Sequence, residues 1–188
     1  ALEYCNKAIE LRKERPEAYS VAAEALVRRG QAADITAAER YLNIALQVNP
    51  KYRPARLKLA RIEFDRQRNA PTPDYNPARN HLDQIINEVG EIEKSGKAKV
   101  GDDELEVRAK ARLMLAEIEK EQRNPNAAAD ALKLALTEYP DFAPGYRLQG
   151  QIMIELERYP EAKTSYLEAV KINPEDAETY KELGMLCQ

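Results

Sequence analysis

The stretch that decides the fold is residues 143–184, APGYRLQGQIMIELERYPEAKTSYLEAVKINPEDAETYKELG. Three of its positions return 34 residues later with the same residue types: Ala143, Tyr146 and Gly150 as Ala177, Tyr180 and Gly184. Four more positions return at the same offset with their size class preserved: Ala128, Leu132, Ala135 and Pro140 as Ala162, Tyr166, Ala169 and Pro174. Seven matches at one offset indicate an internal repeat.

The repeat extends toward the N-terminus with a wider period. Four positions return 37 residues later: Ala1, Cys5, Ala8 and Leu11 as Ala38, Leu42, Ala45 and Val48. Residues spaced four and three apart form one stripe of a helix, and a small residue on that stripe lets two helices approach closely. Proline at 50, 140 and 174 predicts the end of each helix, because proline cannot continue it.

The order of small, aromatic and proline positions resembles the tetratricopeptide repeat family. One unit carries that order in full: Tyr146, Gly150, Tyr159, Ala162, Tyr166, Ala169 and Pro174. The resemblance implies an all-α fold, an α-solenoid of stacked antiparallel helix pairs in a right-handed superhelix. Two departures, Arg56 and Arg112, stand where the family usually has an aromatic residue. We expect these arginines to weaken their units.

The predicted domain organisation is one array over residues 1–188. A half repeat, 1–14, precedes full repeats at 16–52, 53–90, 103–142 and 143–176, and a final helix spans 177–188. Insertions fall at 69–77, which holds three prolines, and at 91–102. Starting and ending within a repeat suggests a fragment of a longer array, or an end capped by the lone helix 177–188.

The second insertion predicts two overlong helices that pair as an antiparallel hairpin. Ile85, Val89 and Ile92 keep helical spacing beyond the point where the repeat usually stops. A polar loop is expected over 95–101, followed by a helix that starts early with Asp102 or Asp103 as its N-cap.

Composition excludes several functional classes. The net charge of -3 gives no general attraction to nucleic acid or anionic membranes. No apolar run reaches the roughly 18–20 residues of a membrane span. The two cysteines, Cys5 and Cys187, form no paired motif, which is compatible with a reducing compartment such as the cytoplasm without indicating one.

The sequence holds no motif for catalysis, metal binding or a cofactor. His81 is the single histidine, so it can neither share a zinc ion with a second histidine nor complete a hydrolase triad from a helix interior. We interpret it as a partly exposed helical residue. The chain is therefore predicted not to be an enzyme, with no catalytic residues, no metal site and no small-molecule substrate.

Partner-binding residues follow from the resemblance, because the first helix of each pair lines the concave surface in this family. Helical phase places the candidates at Leu57, Lys58, Arg61, Phe64, Lys110, Leu113, Met114, Arg147, Leu148, Gln151 and Ile154. This mixture suits a protein or peptide partner with apolar and acidic residues. The alternative is that the apolar members pack adjacent repeats together.

The favoured function is thus a protein–protein interaction scaffold or adaptor that binds its partner in the concave groove. One alternative is a regulatory or targeting arm of a larger enzyme or assembly complex. A less favoured alternative is nucleic-acid binding through the basic segment 51–68, for which Glu63 and Asp65 supply only some ion partners. The sequence indicates no oligomeric state.

Overall fold

The computed structural model describes residues 14–96 and 99–186, which form nine α-helices and no strand. The helices are α1 (Pro16–Arg29), α2 (Ala32–Val48), α3 (Arg53–Arg68), α4 (Asn76–Ser95), α5 (Asp102–Glu121), α6 (Pro125–Glu138), α7 (Ala143–Glu155), α8 (Tyr159–Ile172) and α9 (Ala177–Leu186). The predicted all-α fold class is confirmed. The predicted half repeat 1–14 lies, except for its last residue, outside the described range.

Proline sets both ends of many helices. Helices α2, α6 and α8 end two residues before Pro50, Pro140 and Pro174, as the sequence predicts. Six helices carry proline within their first two positions, where the missing N–H costs no helical hydrogen bond and the fixed φ suits the first turn.

The chain divides into two compact units, Ala1–Ile85 and Ile86–Gln188. In the first unit α1 packs against α2, and α2 packs against α3. Ala23 and Ala38 are fully buried at these contacts, and Leu42 and Leu59 fill the space beside them. Full burial of a leucine side chain such as Leu42 contributes about 2 kcal/mol. No single helix could provide that burial, so stacking supplies the core.

The second unit repeats this plan with α5–α6 and α7–α8 as helix pairs, and α9 packs on α8. One core cluster joins all four paired helices through Ala116, Ala128, Ile152 and Ala162. The pairs are closed by short connections of three residues, 122–124 and 156–158, which require antiparallel neighbours.

The two overlong helices of the hairpin prediction are present. Helices α4 and α5 have 20 residues each, and an ion pair of 2.8 Å joins Glu93 near the end of α4 to Arg108 of α5. The predicted N-cap was wrong. Gly101 caps α5 without a side-chain hydrogen bond, and Asp102 is the first helical residue. Aspartate at that position still stabilises the helix, because it lies at the positive end of the helix dipole.

The tyrosines at the first-helix aromatic position differ in burial. Tyr19 is buried and Tyr146 is half-buried, but Tyr180 is 49% exposed. The aromatic position of the repeat predicts core packing for all three tyrosines, and this prediction is wrong for Tyr180. Tyr19 packs in the core of the first unit, with its ring centre 6.3 Å from that of Tyr41, and Tyr146 packs against the buried cluster of Ala109, Ala135, Leu136 and Phe142.

Candidate protein-binding surface

A groove lies between α1, α2 and α3 of the first unit, and we name it the α1–α3 groove. Its volume is about 530 Å³. It is formed by the C-terminal half of α1, the first two-thirds of α2, and α3 from Lys58 onward. The lining residues are Ala23, Glu24, Val27, Ala32, Ile35, Thr36, Leu42, Lys58, Arg61, Ile62, Asp65 and Arg66.

The floor of the α1–α3 groove is apolar. Ala23, Leu42 and Ile62 are buried there, and the small side chain of Ala23 leaves room between the helices. Val27 is 37% exposed, so part of this apolar surface faces solvent. A concave apolar floor with polar groups at its edge is the usual form of a site for a side chain or small ligand.

One edge of the groove carries a three-residue ion cluster. Glu24 accepts from Lys58 at 2.8 Å and from Arg28 at 2.7 Å. The hydrogen bond from Lys58 is the main reason that the pKa of Glu24 is lowered. Lys58 also donates to the backbone carbonyl of Ser20 at 3.1 Å. These bonds fix Lys58 in place and tie α3 to α1.

Further along α3, the groove is lined by Arg61, Asp65 and Arg66. The Arg61 guanidinium lies 5.4 Å from the ring centre of Phe64, a cation–π contact that holds the arginine along α3. Arg66 pairs with Glu63 at 2.9 Å and with Glu39 of α2. The groove thus presents fixed charges of both signs around an apolar centre.

The basic segment 51–68 has more acidic partners than the sequence alone revealed. Glu24 and Glu39 come from other helices and pair with Lys58 and Arg66. The sequence analysis considered only Glu63 and Asp65, which lie within the segment. These cross-helix pairs reduce the positive charge that a phosphate backbone would meet.

The structure brings together only two of the four predicted residues of this unit in the α1–α3 groove. Lys58 and Arg61 line it, Leu57 is half-buried outside it, and Phe64 is buried, 3% exposed, against Tyr75. Val27 and Ile35 were missed. Ile35 lies on a second helix, whereas the prediction searched first helices only.

In the second unit the predicted residues mainly join helices of the array. Gln151 of α7 accepts from Lys120 of α5 at 3.3 Å and donates to Glu182 of α9 at 2.7 Å. Arg147 donates to Glu178 of α9 at 2.7 Å. These bonds form a polar ladder that connects successive first helices.

The remaining predicted residues of the second unit add little surface. Lys110 pairs with Glu106 at 2.6 Å within α5, while Leu113 and Ile154 are half-buried against the core. Met114 and Leu148 are buried. Phe64, Met114 and Leu148 therefore have no surface to offer a partner, because each is covered by neighbouring side chains.

Among the described residues no helix is long and apolar enough to cross a bilayer. Within the same residues no three histidine, cysteine or acidic side chains are grouped to hold a metal ion. His81 is half-buried on α4, as expected, and burial lowers the pKa of its imidazole, with a smaller contribution from Arg56.

One helix pair of the second unit matches a known family by sequence. Residues 143–176 are a tetratricopeptide repeat. They match the family model described as tetratricopeptide repeat, and this match covers α7, α8 and the turn that follows. No curated protein sequence matches the chain significantly.

Solved structures with this tetratricopeptide fold superpose over nearly the whole chain. TTC0263, a thermophilic TPR protein in Thermus thermophilus, gives a TM-score of 0.69 at 17% identity, over 99% of this chain and 88% of its own. YrrB, a TPR protein with an unusual peptide-binding site, gives 0.56 at 15% identity over 99% and 83%. The APC/C hetero-tetramer Cut9-Hcn1 gives 0.64 at 14% identity over 100% and 39%. At these identities the likeness shows the fold.

Proposed function

We propose that this chain is a protein–protein interaction scaffold that binds a peptide segment of its partner in the α1–α3 groove. The observation that carries the proposal is the groove itself, which has a volume of about 530 Å³, an apolar floor and fixed charges along its edges. Tetratricopeptide repeats are typical of protein-binding scaffolds, and YrrB, which shares the fold, has a peptide-binding site. A small-molecule substrate is not part of this proposal.

The partner segment has an apolar anchor with an acidic residue beside it. The anchor fills the space over Ala23, Val27 and Ile62, where removal of apolar surface from water supplies the binding energy. The acidic residue lies toward Arg61, which lines the groove one turn after Lys58 on α3. Lys58 is held by Glu24 and Ser20. Its main role is therefore to position the groove wall, and its contact with the partner is secondary.

Selection of peptides from a phage-displayed library tests this proposal. The selected peptides are expected to share a large apolar residue with a nearby aspartate or glutamate. Val27→Asp places a charge on the groove floor, so it should weaken the binding of a labelled peptide at least about tenfold. The matched control is Val21→Asp, the same change on the same helix at a residue that is 56% exposed and outside the groove.

The outcomes separate this function from its alternatives. Equal loss in both valine variants, with both folded by circular dichroism, would contradict a site in the groove. Arg61→Glu should reduce affinity for acidic peptides more than Arg68→Glu, since Arg68 does not line the groove. Salt-dependent binding of oligonucleotides, lost on substitution of segment 51–68, would instead favour the nucleic-acid alternative.

A further inference from the structure

The carboxylate of Glu24 occupies the ammonium group of Lys58 at the surface of the α1–α3 groove. Its Oε2 atom accepts from Lys58 at 2.8 Å, and its Oε1 atom accepts from Arg28 at 2.7 Å. Glu24 and Lys58 both line the groove, whereas Arg28 does not. The side chains of Glu24 and Lys58 are 44% and 32% exposed, so the pair faces the space in which a ligand would lie.

Lys58 has little capacity left for a second carboxylate. A lysine ammonium has three N–H donors. One reaches Glu24, and another reaches the backbone carbonyl of Ser20 at 3.1 Å. An acidic ligand residue that took the third donor would lie beside the Glu24 carboxylate, and two carboxylates at one cation repel each other. The chain therefore already supplies the negative charge that Lys58 would otherwise attract.

Glu24 keeps its charge at neutral pH. Its pKa is lowered below the ordinary value of 4.5, mainly by the hydrogen bond from Lys58 and then by attraction to the same ammonium. Burial acts in the opposite direction but is a smaller cause than either of these, and Arg28 lowers the pKa further. The competing carboxylate is thus charged whenever a peptide with an ionised aspartate or glutamate approaches.

The stacking of α1 and α3 has a second, apolar basis. Both helices contribute to one buried cluster, which includes Ala23 and Leu26 of α1 and Leu59 of α3. A partly exposed ion pair contributes little to folding stability. Loss of the Glu24 charge should therefore change which ligands bind and leave the helices in place.

We propose that Glu24 determines the charge specificity of the α1–α3 groove. It is an internal competitor for Lys58, so the groove discriminates against a segment with an acidic residue facing Lys58. The partner segment has a neutral residue there, in addition to the apolar anchor and the acidic residue near Arg61. This inference rests on the proposed function, because it specifies which peptides the same groove accepts. The specificity comes from a built-in repulsive group and not from an added attraction.

Parallel selections from one phage-displayed library test the proposal. One selection uses the wild-type chain, and the other uses Glu24→Gln, which keeps the size of the side chain and an oxygen acceptor but removes the negative charge. Peptides from the wild-type selection should carry the anchor with one acidic position. Peptides from the variant selection should carry aspartate or glutamate at one further position, at a fixed spacing from the anchor, at least about three times as often.

The affinities of two matched peptides measure the same effect. The first peptide is a wild-type-selected sequence with glutamine at that further position, and the second has glutamate there. In fluorescence anisotropy, glutamate should strengthen binding to the Glu24→Gln chain at least about threefold and should give no gain with the wild type. Adding Lys58→Gln to the Glu24→Gln chain should remove the gain, because the cation that causes it is gone.

Glu17→Gln is the matched control. It is the same change on the same helix, at an exposed residue that does not line the groove. The net charge of the chain changes equally in both variants. If glutamate in the peptide gave Glu17→Gln the same gain as Glu24→Gln, the cause would be general charge, and the proposal would be wrong.

The remaining outcomes separate this inference from the proposed function. Identical acidic positions in the two selections would overturn the inference, while weaker binding in Val27→Asp would still support the groove. A Glu24→Gln chain that loses all peptide binding and melts at a lower temperature would show that Glu24 is structural only, which also contradicts the inference. Failure of the wild-type chain to select any anchored peptide would contradict the proposed function itself, and the charge specificity with it.

Discussion

Arg56 in the first unit and Arg112 in the second occupy the same repeat position, each four residues before the small residue of a first helix. In α1 and α7 that position is aromatic, as Tyr19 and Tyr146. Arg56 donates to the side-chain oxygen of Gln84 at 2.6 Å and to the carbonyl of Pro50 at 2.5 Å. Arg112 donates to Glu138 at 2.6 Å. An arginine replaces the aromatic in each unit, with an acceptor on the following helix.

The two units differ in the charge of the acceptor. Gln84 is neutral, whereas Glu138 is acidic and also pairs with Arg108 at 2.7 Å. The Arg108 side chain is only 3% exposed, and its second partner is Glu93 at 2.8 Å. Both arginines are hydrogen-bonded, and the expected weakening of their units stays a prediction. In the second unit, the acidic acceptor of this arginine is shared with a second, buried arginine, Arg108.

Removing the acceptor in each unit should give the largest difference between them. Glu138→Ala leaves Arg108 buried with one partner fewer and removes the carboxylate that Arg112 contacts, so we expect the free energy of unfolding to fall by about 3 kcal/mol. Gln84→Ala removes a neutral acceptor and should cost about 1 kcal/mol. Hydrogen exchange measured separately over α5–α6 and α3–α4 reports each unit. Equal costs would show that the ionic network adds nothing.

The sequence was sufficient for the helix pairs but not for their polar contacts. Two kinds of residue act through backbone geometry: small residues such as Ala23 and Ala128, and helix-ending residues such as Pro140. Their regular spacing is visible in the sequence, so the helix pairs could be predicted from it. The hydrogen-bond partner of Arg112 could not be predicted from spacing. Glu138 lies 26 residues away, and the chain holds many other acidic residues. Periodicity also fails to predict the exposure of Tyr180. The pattern shows on which face of the helix the tyrosine lies, but it does not show which residues cover that face.

The candidate site could likewise be predicted only in part from the sequence. Helical phase found Lys58 and Arg61, which line the α1–α3 groove. It could not show that Phe64, one turn further along α3, is buried against Tyr75 from the connection before α4. Ile35 was missed because a groove between three helices also includes the second helix of a pair. Burial by a neighbouring loop or helix is a tertiary property, which no single helix pattern contains.

The turns inside the helix pairs offer a second comparison between the units, with a smaller expected effect. A residue with positive φ follows the first helix of each of these pairs: Gly30 in the first unit, and Arg123 and Glu157 in the second. Glycine adopts this conformation without the strain that a side chain introduces. Gly30→Ala should therefore destabilise the first unit by about 1 kcal/mol, although no atom lies near the added methyl group.

The reciprocal change in the second unit should act in the opposite direction. Glu157→Gly removes strain at φ 58° and is expected to stabilise the unit by up to about 1 kcal/mol. Urea denaturation of both variants measures the two changes. A loss of stability in Glu157→Gly would mean that its side chain contributes more than its backbone strain costs.

The smallest expected effect is the response of the ionic network to acid. A hydrogen bond from Arg108 is the main cause that lowers the pKa of Glu93 below its ordinary value of 4.5, with attraction to Arg108 adding to it. A carboxylate whose pKa is depressed by folding stabilises the folded state above its unfolded pKa. That contribution is lost as the pH falls from about 4.5 through the folded pKa.

The effect is small because the Glu93 side chain is 56% exposed and salt screens the pair. Between about pH 6 and pH 3 the melting temperature of wild type should fall slightly more steeply than that of Glu93→Gln. Carboxyl NMR titration gives the pKa directly, and Arg108→Lys should move it back toward 4.5, because lysine cannot donate in the same geometry. Gln84 has no ionisable group, so this acceptor of Arg56 adds no acid response of its own.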